Sequence, residues 1–263
     1  MIFIGSEEGT RIVDVFQRAP IRILFPSAIG SAVEEAVLVN TAGGIAGGDR
    51  LEFSVTALAN ASIVVTSQAA EKVYRSMNAR ARIATKIRVH EAAKLAWLPQ
   101  ETIAFNWARL QRDTEIELAS GSEFLALEWL VLGRAAHDED MVGGYISDSW
   151  RVRKDGRLIW ADSFRVTEEV FPQLYRKALL SSYRAVATLV YFGAHLDLRL
   201  EFLRNIARSL KCHCAATSVR ELIIMRFAAQ ASSDVRLALR GVLRKIGEEV
   251  GPGPFRVPKM WSC

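Results

Sequence analysis

From residue 11 to about residue 193 the apolar residues of this chain recur with a period of two, in segments too short for helices. "RIVDVF", "IRILF", "AVLVN", "LEFSVTAL", "SIVVT", "RIATKIRV", "ETIAFNWARL" and "DTEIEL" are rich in β-branched or aromatic residues and are parted by polar or glycine breaks. Successive side chains of a strand point to opposite faces, so this alternation gives each segment one face to bury. The pattern predicts many short strands. "WRVRKDGRLIWADSF" predicts a hairpin, with Asp155–Gly156 as a type I′ turn flanked by Trp150/Val152 and Leu158/Trp160. "EFLALEWLVLG" (Glu123 to Gly133) is almost unbroken in its apolar character, as a strand buried on both faces or a short helix would be, and its strand-rich neighbours favour the strand. "YRAVATLVYFG" adds another strand.

The rhythm changes after residue 193. Leu196, Leu200, Leu203, Ile206 and Leu210 fall at helical spacing, and so do Val235, Leu239, Val242, Ile246 and Val250. Ser233 or Asp234 is expected to cap the second helix, and Gly251 followed by Pro252 to stop it. "ATSVRELIIMRFAAQ", between the helices, reads as a strand returning to the sheet. With no linker or clean repeat in view, the expectation is a single mainly-β domain over residues 1–263, with two C-terminal helices.

Half of the residues are hydrophobic, enough for a sizeable core. No apolar run nears the roughly 18 residues of a membrane span. The start lacks the basic, apolar pattern of a secretory signal. Three cysteines, Cys212, Cys214 and Cys263, suit a reducing compartment, so the expected location is the cytoplasm. The net charge of +5 is scattered, and its densest cluster, Arg151 to Arg157, is the tip of the expected hairpin. A nucleic-acid footprint would be a clustered basic stripe, so neither nucleic acid nor membrane is expected as a partner.

"NTAGGIAGGDRL" places Gly43, Gly44, Gly47 and Gly48 just before Asp49. A phosphate loop would need a lysine and a hydroxyl after Gly48, and a dinucleotide fingerprint would open a helix rather than the strand "LEFSVTAL". A strand-to-strand turn built on left-handed glycines is the better reading. Cys212-His213-Cys214 has good ligand types but no second cysteine pair, which favours a place in the core over metal binding. Glu128, inside an apolar strand, needs a partner to offset the cost of burial: an arginine (Arg134 is one candidate), a polar channel or a proton. Asp162, after "LIW", reads as a similar case, and Asp49 leaves the glycine turn beside Arg50.

Four ordered motifs make the reading specific: "GGIAGGDRL", "VVTSQAAEKVYRS" (Val64 to Ser76), "LAWLPQETIAF" (Leu95 to Phe105) and "LGRAAHDE" (Leu132 to Glu139). With the closing "RELIIMRFAAQ…LRGVLRK…VPKMW", the chain resembles the UreD/UreH urease accessory proteins over nearly its whole length. It departs from their pattern at Ala42 (usually proline), Ala96 (often an acid), Asp138 (usually glycine) and the final Cys263.

The resemblance implies a non-enzymatic protein with a β-helix-like stack of sheets and two helices. It implies assembly with UreF and the GTPase UreG on apo-urease, with room for a dimer in that complex. It also implies Ni2+ in transit through a polar tunnel, with no permanently bound cofactor. By that analogy the nickel path is expected to include Asp49, then Glu128 and Asp162, with Ser67 and Gln68 as neutral oxygen donors. Carboxylates release nickel faster than thiolates or imidazoles do, which suits a conduit. Two other readings compete: a structural adaptor whose acids serve internal ion pairs, and an enzyme using Asp49 or Glu139 as a base over a glycine-loop pocket.

Overall fold

A computed structural model describes residues 1–26, 33–251 and 253–262. The chain begins with β1 (Ile2–Ser6), β2 (Gly9–Asp14), β3 (Ile21–Leu24), β4 (Glu34–Asn40), β5 (Arg50–Ala57) and β6 (Ser62–Ser67). It continues with β7 (Glu71–Val73), β8 (Ala81–Val89), β9 (Lys94–Leu98), β10 (Thr102–Ala104), β11 (Arg109–Leu118) and β12 (Glu123–Leu132). A hairpin of β13 (Tyr145–Lys154) and β14 (Arg157–Val166) follows, then a single helical turn, α1 (Phe171–Leu174), and β15 (Ala185–Phe192). Helix α2 (Leu196–Ser209), β16 (His213–Val219), β17 (Leu222–Ala229) and helix α3 (Ser232–Val250) close the fold.

The strands make two sheets. One runs β14-β13-β11-β8-β5-β1-β2 and the other β16-β17-β15-β12-β9-β6-β4-β3. Within them β5, β8, β11 and β13 are parallel neighbours, as are β4, β6, β9 and β12. From β4 to β13 the chain thus coils between the sheets, a solenoid-like stack closed by antiparallel hairpins, as the mainly-β expectation had it.

Strand β12, in the middle of the second sheet, is buried on both faces, which explains its apolar run. Leu125, Leu127 and Trp129 face the helices, packing with Leu203, Val235 and Leu239. Phe124 and Ala126 face the first sheet, packing with Val55, Ile87 and Ile116. Glu128 shares their phase and lies between the sheets. The C-terminal end is locked into the helix-side core, where Trp261 donates from Nε1 to Thr66 Oγ1 at 3.2 Å and Leu98 O at 3.3 Å.

The outer face of the first sheet carries rows of alternating sign. Glu115 lies between Lys86 and Arg151, and Glu117 between Arg88 and Arg153. Opposite charges directly across strands stabilise a sheet, and the scattered basic charge of the sequence is partly spent in this way.

Some local expectations are corrected. The segment between the long helices is a hairpin, β16 and β17, turning at Arg220 with φ 53°. "ETIAFNWARL" is not one strand: β10 ends at Ala104, and the chain turns through Trp107 (φ 63°) before β11. Neither Ser233 nor Asp234 caps α3. The cap position is Ala231, without a side-chain bond, and Asp234 lies in the first turn, where its charge favours the exposed amides. The Asp155–Gly156 turn has the two positive φ values, 48° and 78°, that a type I′ turn requires. A register shift beside Val152 turns Ile159 and Trp160 inward together and leaves Leu158 outside. Gly251 ends α3; Pro252 and Cys263 lie outside the described residues.

Candidate functional site

The glycine turn docks onto β7. Ile45 N–H donates to Lys72 O at 2.7 Å, Tyr74 N–H returns a bond to Ile45 O at 2.9 Å, and Tyr74 Oη donates to Gly43 O at 2.9 Å. Gly43 (φ 76°) and Gly48 (φ 96°) supply left-handed backbone, as the sequence reading expected. Gly44 and Gly47 serve contact instead: a Cβ at Gly47 would lie 2.0 Å from Ser76 Oγ and 2.7 Å from Ala79 O. Asp49 closes the turn by accepting Ala46 N–H at 2.8 Å, and it is exposed. The turn leads into β5, not into a helix.

Two cavities meet at Glu128, and the first lies behind this turn. The first, about 260 Å³, is lined by Gly43, Ser67, Gln68, Glu71, Thr85, Trp97, Thr102, Arg112 and Glu128 among others. It reaches the surface at Gly43 and Gln68. The second, about 480 Å³, is lined by Glu128, Asp148, Trp150, Asp162, Thr188, His213, Cys214 and Arg226 among others. It reaches the surface at His213, Ala215 and Arg226. Glu128 borders both cavities. Of the expected path residues, Ser67, Gln68 and Glu128 meet at the first cavity and Glu128 and Asp162 at the second, while Asp49 borders neither.

The divide between the cavities is a buried charge cluster. Arg112, on β11, contacts Glu128 Oε2 through Nη1 at 2.5 Å, donates from Nε to Asp148 Oδ1 at 3.0 Å, and from Nη2 to Asp148 Oδ2 at 2.6 Å. Nη1 also donates to Thr102 Oγ1 at 3.0 Å. Trp97 Nε1 donates to the other Glu128 oxygen at 2.8 Å. Arg112 and Glu128 are only 3% and 5% exposed, so these contacts form in a medium that screens little. Burial raises the Glu128 carboxyl above its ordinary range, and the like charge of Asp148 adds to this. Arg112 and the Trp97 bond oppose the shift. Burial works against the charge of Arg112 too, but Asp148 and Glu128 raise its pKa and keep it a cation.

The partner of Glu128 is therefore an arginine, but not Arg134. Arg134 pairs with Glu139, at 2.6 Å between Nη2 and Oε2, and stacks over the Phe105 ring. Asp138 holds a left-handed φ of 52° in that loop, so aspartate takes up the backbone that a glycine would. Asp162 is part-exposed rather than deeply buried, and pairs with Arg226 at 2.9 Å. Glu128 and Asp162 thus each have an arginine partner. Ser67 Oγ accepts Gln100 N–H at 2.8 Å and donates to Ala69 O at 3.0 Å.

Cys212 and Cys214 are free thiols packed in the helix-side core, consistent with the core reading. Burial pushes the Cys214 thiol up to about 11, helped by its neighbour Cys212. Among the described residues no three His, Cys, Asp or Glu side chains gather into a group able to hold a metal, and no helix is long and apolar enough to cross a membrane.

Sequence reasoning missed Arg112, Asp148, Thr85 and Thr102. A signal was present for the first two. In β11 the inward phase reads Leu110, Arg112, Thr114, Ile116, Leu118, and in β13 it reads Ile146, Asp148, Trp150, Val152. A charge of each sign therefore stands in apolar phase at paired positions.

A family model described as UreD urease accessory protein matches residues 2–262. The chain is 36% identical over 256 residues to a urease accessory protein UreD of Chelativorans sp. (strain BNC1), covering 97% of this chain and 90% of that one. It is 37% identical over 253 residues to that of Rhizobium johnstonii, covering 96% and 90%. It is 40% identical over 220 residues to that of Azorhizobium caulinodans, covering 84% and 81%.

Proposed function

The chain belongs to the UreD urease accessory protein family, and on that premise we propose that it is a nickel-insertion scaffold, joining UreF and the GTPase UreG to apo-urease in the cytoplasm. In this reading nickel moves through the protein between its sheets. It passes from the cavity beside the glycine turn, at Ser67 and Gln68, past Glu128, and out along Asp162. The observation that carries the reading is that two cavities with different openings, one at Gly43 and Gln68 and the other at His213 and Arg226, share one carboxylate, Glu128.

The donor chemistry supports it. Carboxylate and hydroxyl oxygens line the seam, and such donors hold a divalent ion loosely enough to release it. Asp49 has a separate part: by holding Ala46 it shapes the turn at the mouth of the first cavity.

Glu128→Gln tests the path. In cells expressing the urease genes, the variant is expected to recover UreF, UreG and urease in a pull-down as the native chain does, while urease activation falls at least tenfold. Unchanged activation would remove Glu128 from the path. The adaptor reading, without nickel passage, draws on the arginine partners of Glu128 and Asp162, and it predicts that unchanged result.

A further inference from the structure

The cluster between the cavities is unbalanced. Two carboxylates, Glu128 and Asp148, share one guanidinium between the sheets, so the cluster holds more acid groups than cations. Two residues along the inward phase of β11 from Arg112, Thr114 stands in register with Thr85 of β8; both residues are 1% exposed and neither Oγ1 has a partner. Thr85 lines the same cavity as Arg112 and Glu128. Buried hydroxyls normally find a partner, so a pair left over beside two acids marks unused oxygen-donor capacity.

From this we infer that Arg112 is a built-in placeholder cation, occupying the seat that Glu128 and Asp148 would otherwise give to a divalent metal ion. The inference rests on the proposed path and names how passage along it is regulated. A guanidinium neutralises one of the two carboxylates, whereas a divalent ion neutralises both and can take the hydroxyl oxygens as further ligands. The exchange has a driving force only when such an ion arrives. When the ion leaves, the tethered guanidinium returns at no translational cost, because it is part of the chain. Thr102 Oγ1 gives Nη1 a neutral acceptor that persists while the carboxylates are engaged elsewhere. Arg112 therefore keeps the two acids from acting as a trap.

The test is Ni(II) binding by the purified full-length chain, followed by isothermal titration calorimetry. Arg112→Gln leaves the two carboxylates unopposed and should bind one equivalent of Ni(II) at least tenfold more tightly than the native chain. The double variant Arg112→Gln with Asp148→Asn should lose that gain. A folded Arg112→Gln chain that binds Ni(II) no better than the native one overturns the inference. If Arg112→Gln does not fold, Arg112→Lys is read in its place: its compact ammonium cannot bridge both acids, so a several-fold gain is expected and no gain overturns the inference. The two readings fail separately. Normal activation by Glu128→Gln removes the path, whereas impaired activation by Glu128→Gln with no Ni(II) gain on loss of Arg112 removes only the placeholder.

Discussion

Arg112 occupies a strand position whose phase belongs to apolar side chains, and it is tolerated there because four acceptor contacts surround its guanidinium. Removing one partner of a buried ionic cluster costs more than the cluster contributes, because the remaining charges lose their compensation. Arg112→Ala is thus expected to lower stability by about 3–5 kcal/mol in urea unfolding. Gly47 makes the opposite kind of demand, since its neighbours leave no room for a side chain. Gly47→Ala should cost about 1–3 kcal/mol through displacement of the Ser76 segment, read in the same assay. The Cys214 thiol, held at about 11, carries little thiolate at neutral pH. Its alkylation by iodoacetamide at pH 7.5 should run roughly a hundredfold slower than that of an ordinary cysteine, whose pKa is near 8.5. Peptide-resolved mass spectrometry measures this directly.

Among the elements, β12 has the most demanding position, with helices on one face and the first sheet on the other. The indole of Trp261 meets Trp129 of this strand and bonds across to β6 and β9. Trp261→Ala should cost about 3–5 kcal/mol, the range for a fully buried large aromatic. The turn between β12 and β13 is held differently, by the Arg134–Glu139 pair. Its hydrogen bond to Arg134 keeps the Glu139 carboxyl below the ordinary glutamate value of 4.5. A carboxylate lowered in the folded state contributes stability above its unfolded pKa and loses it as pH falls through the folded one. Amide protection factors over residues 134–139, measured against the intrinsic exchange rate at each pH, should therefore be high near neutral pH and fall as the pH drops below the ordinary glutamate range, ahead of global unfolding. Glu139→Gln should lower that protection at every pH and remove its pH dependence.

For the molecule as a whole, stability and function place contrary demands on the seam between the sheets. Replacing Arg112, Glu128 and Asp148 together with apolar residues of similar volume removes every charge that needs compensation. The folded state is expected to be unchanged or up to about 4 kcal/mol more stable, while urease activation is lost. If the triple variant still activates urease, the seam is not a nickel path.

Much of this molecule was legible before its structure. The period of two in the first two-thirds of the chain, the doubly buried strand around Glu128, the Asp155–Gly156 turn and both long helices are consequences of local patterning, because the phase of apolar residues decides which face an element must bury. The four ordered motifs were equally readable, and they carried the family. What no local pattern could supply was the partner of each acid. Arg112 lies 16 positions from Glu128 in sequence, on the other sheet, and only the coiling of strands between sheets brings the two into contact. Arg134, nearer in sequence, points into its own loop and pairs there. Burial and periodicity are properties of a segment. Which charges meet, and what space is left between them, depends on how two sheets stack, and that was settled only by the tertiary structure.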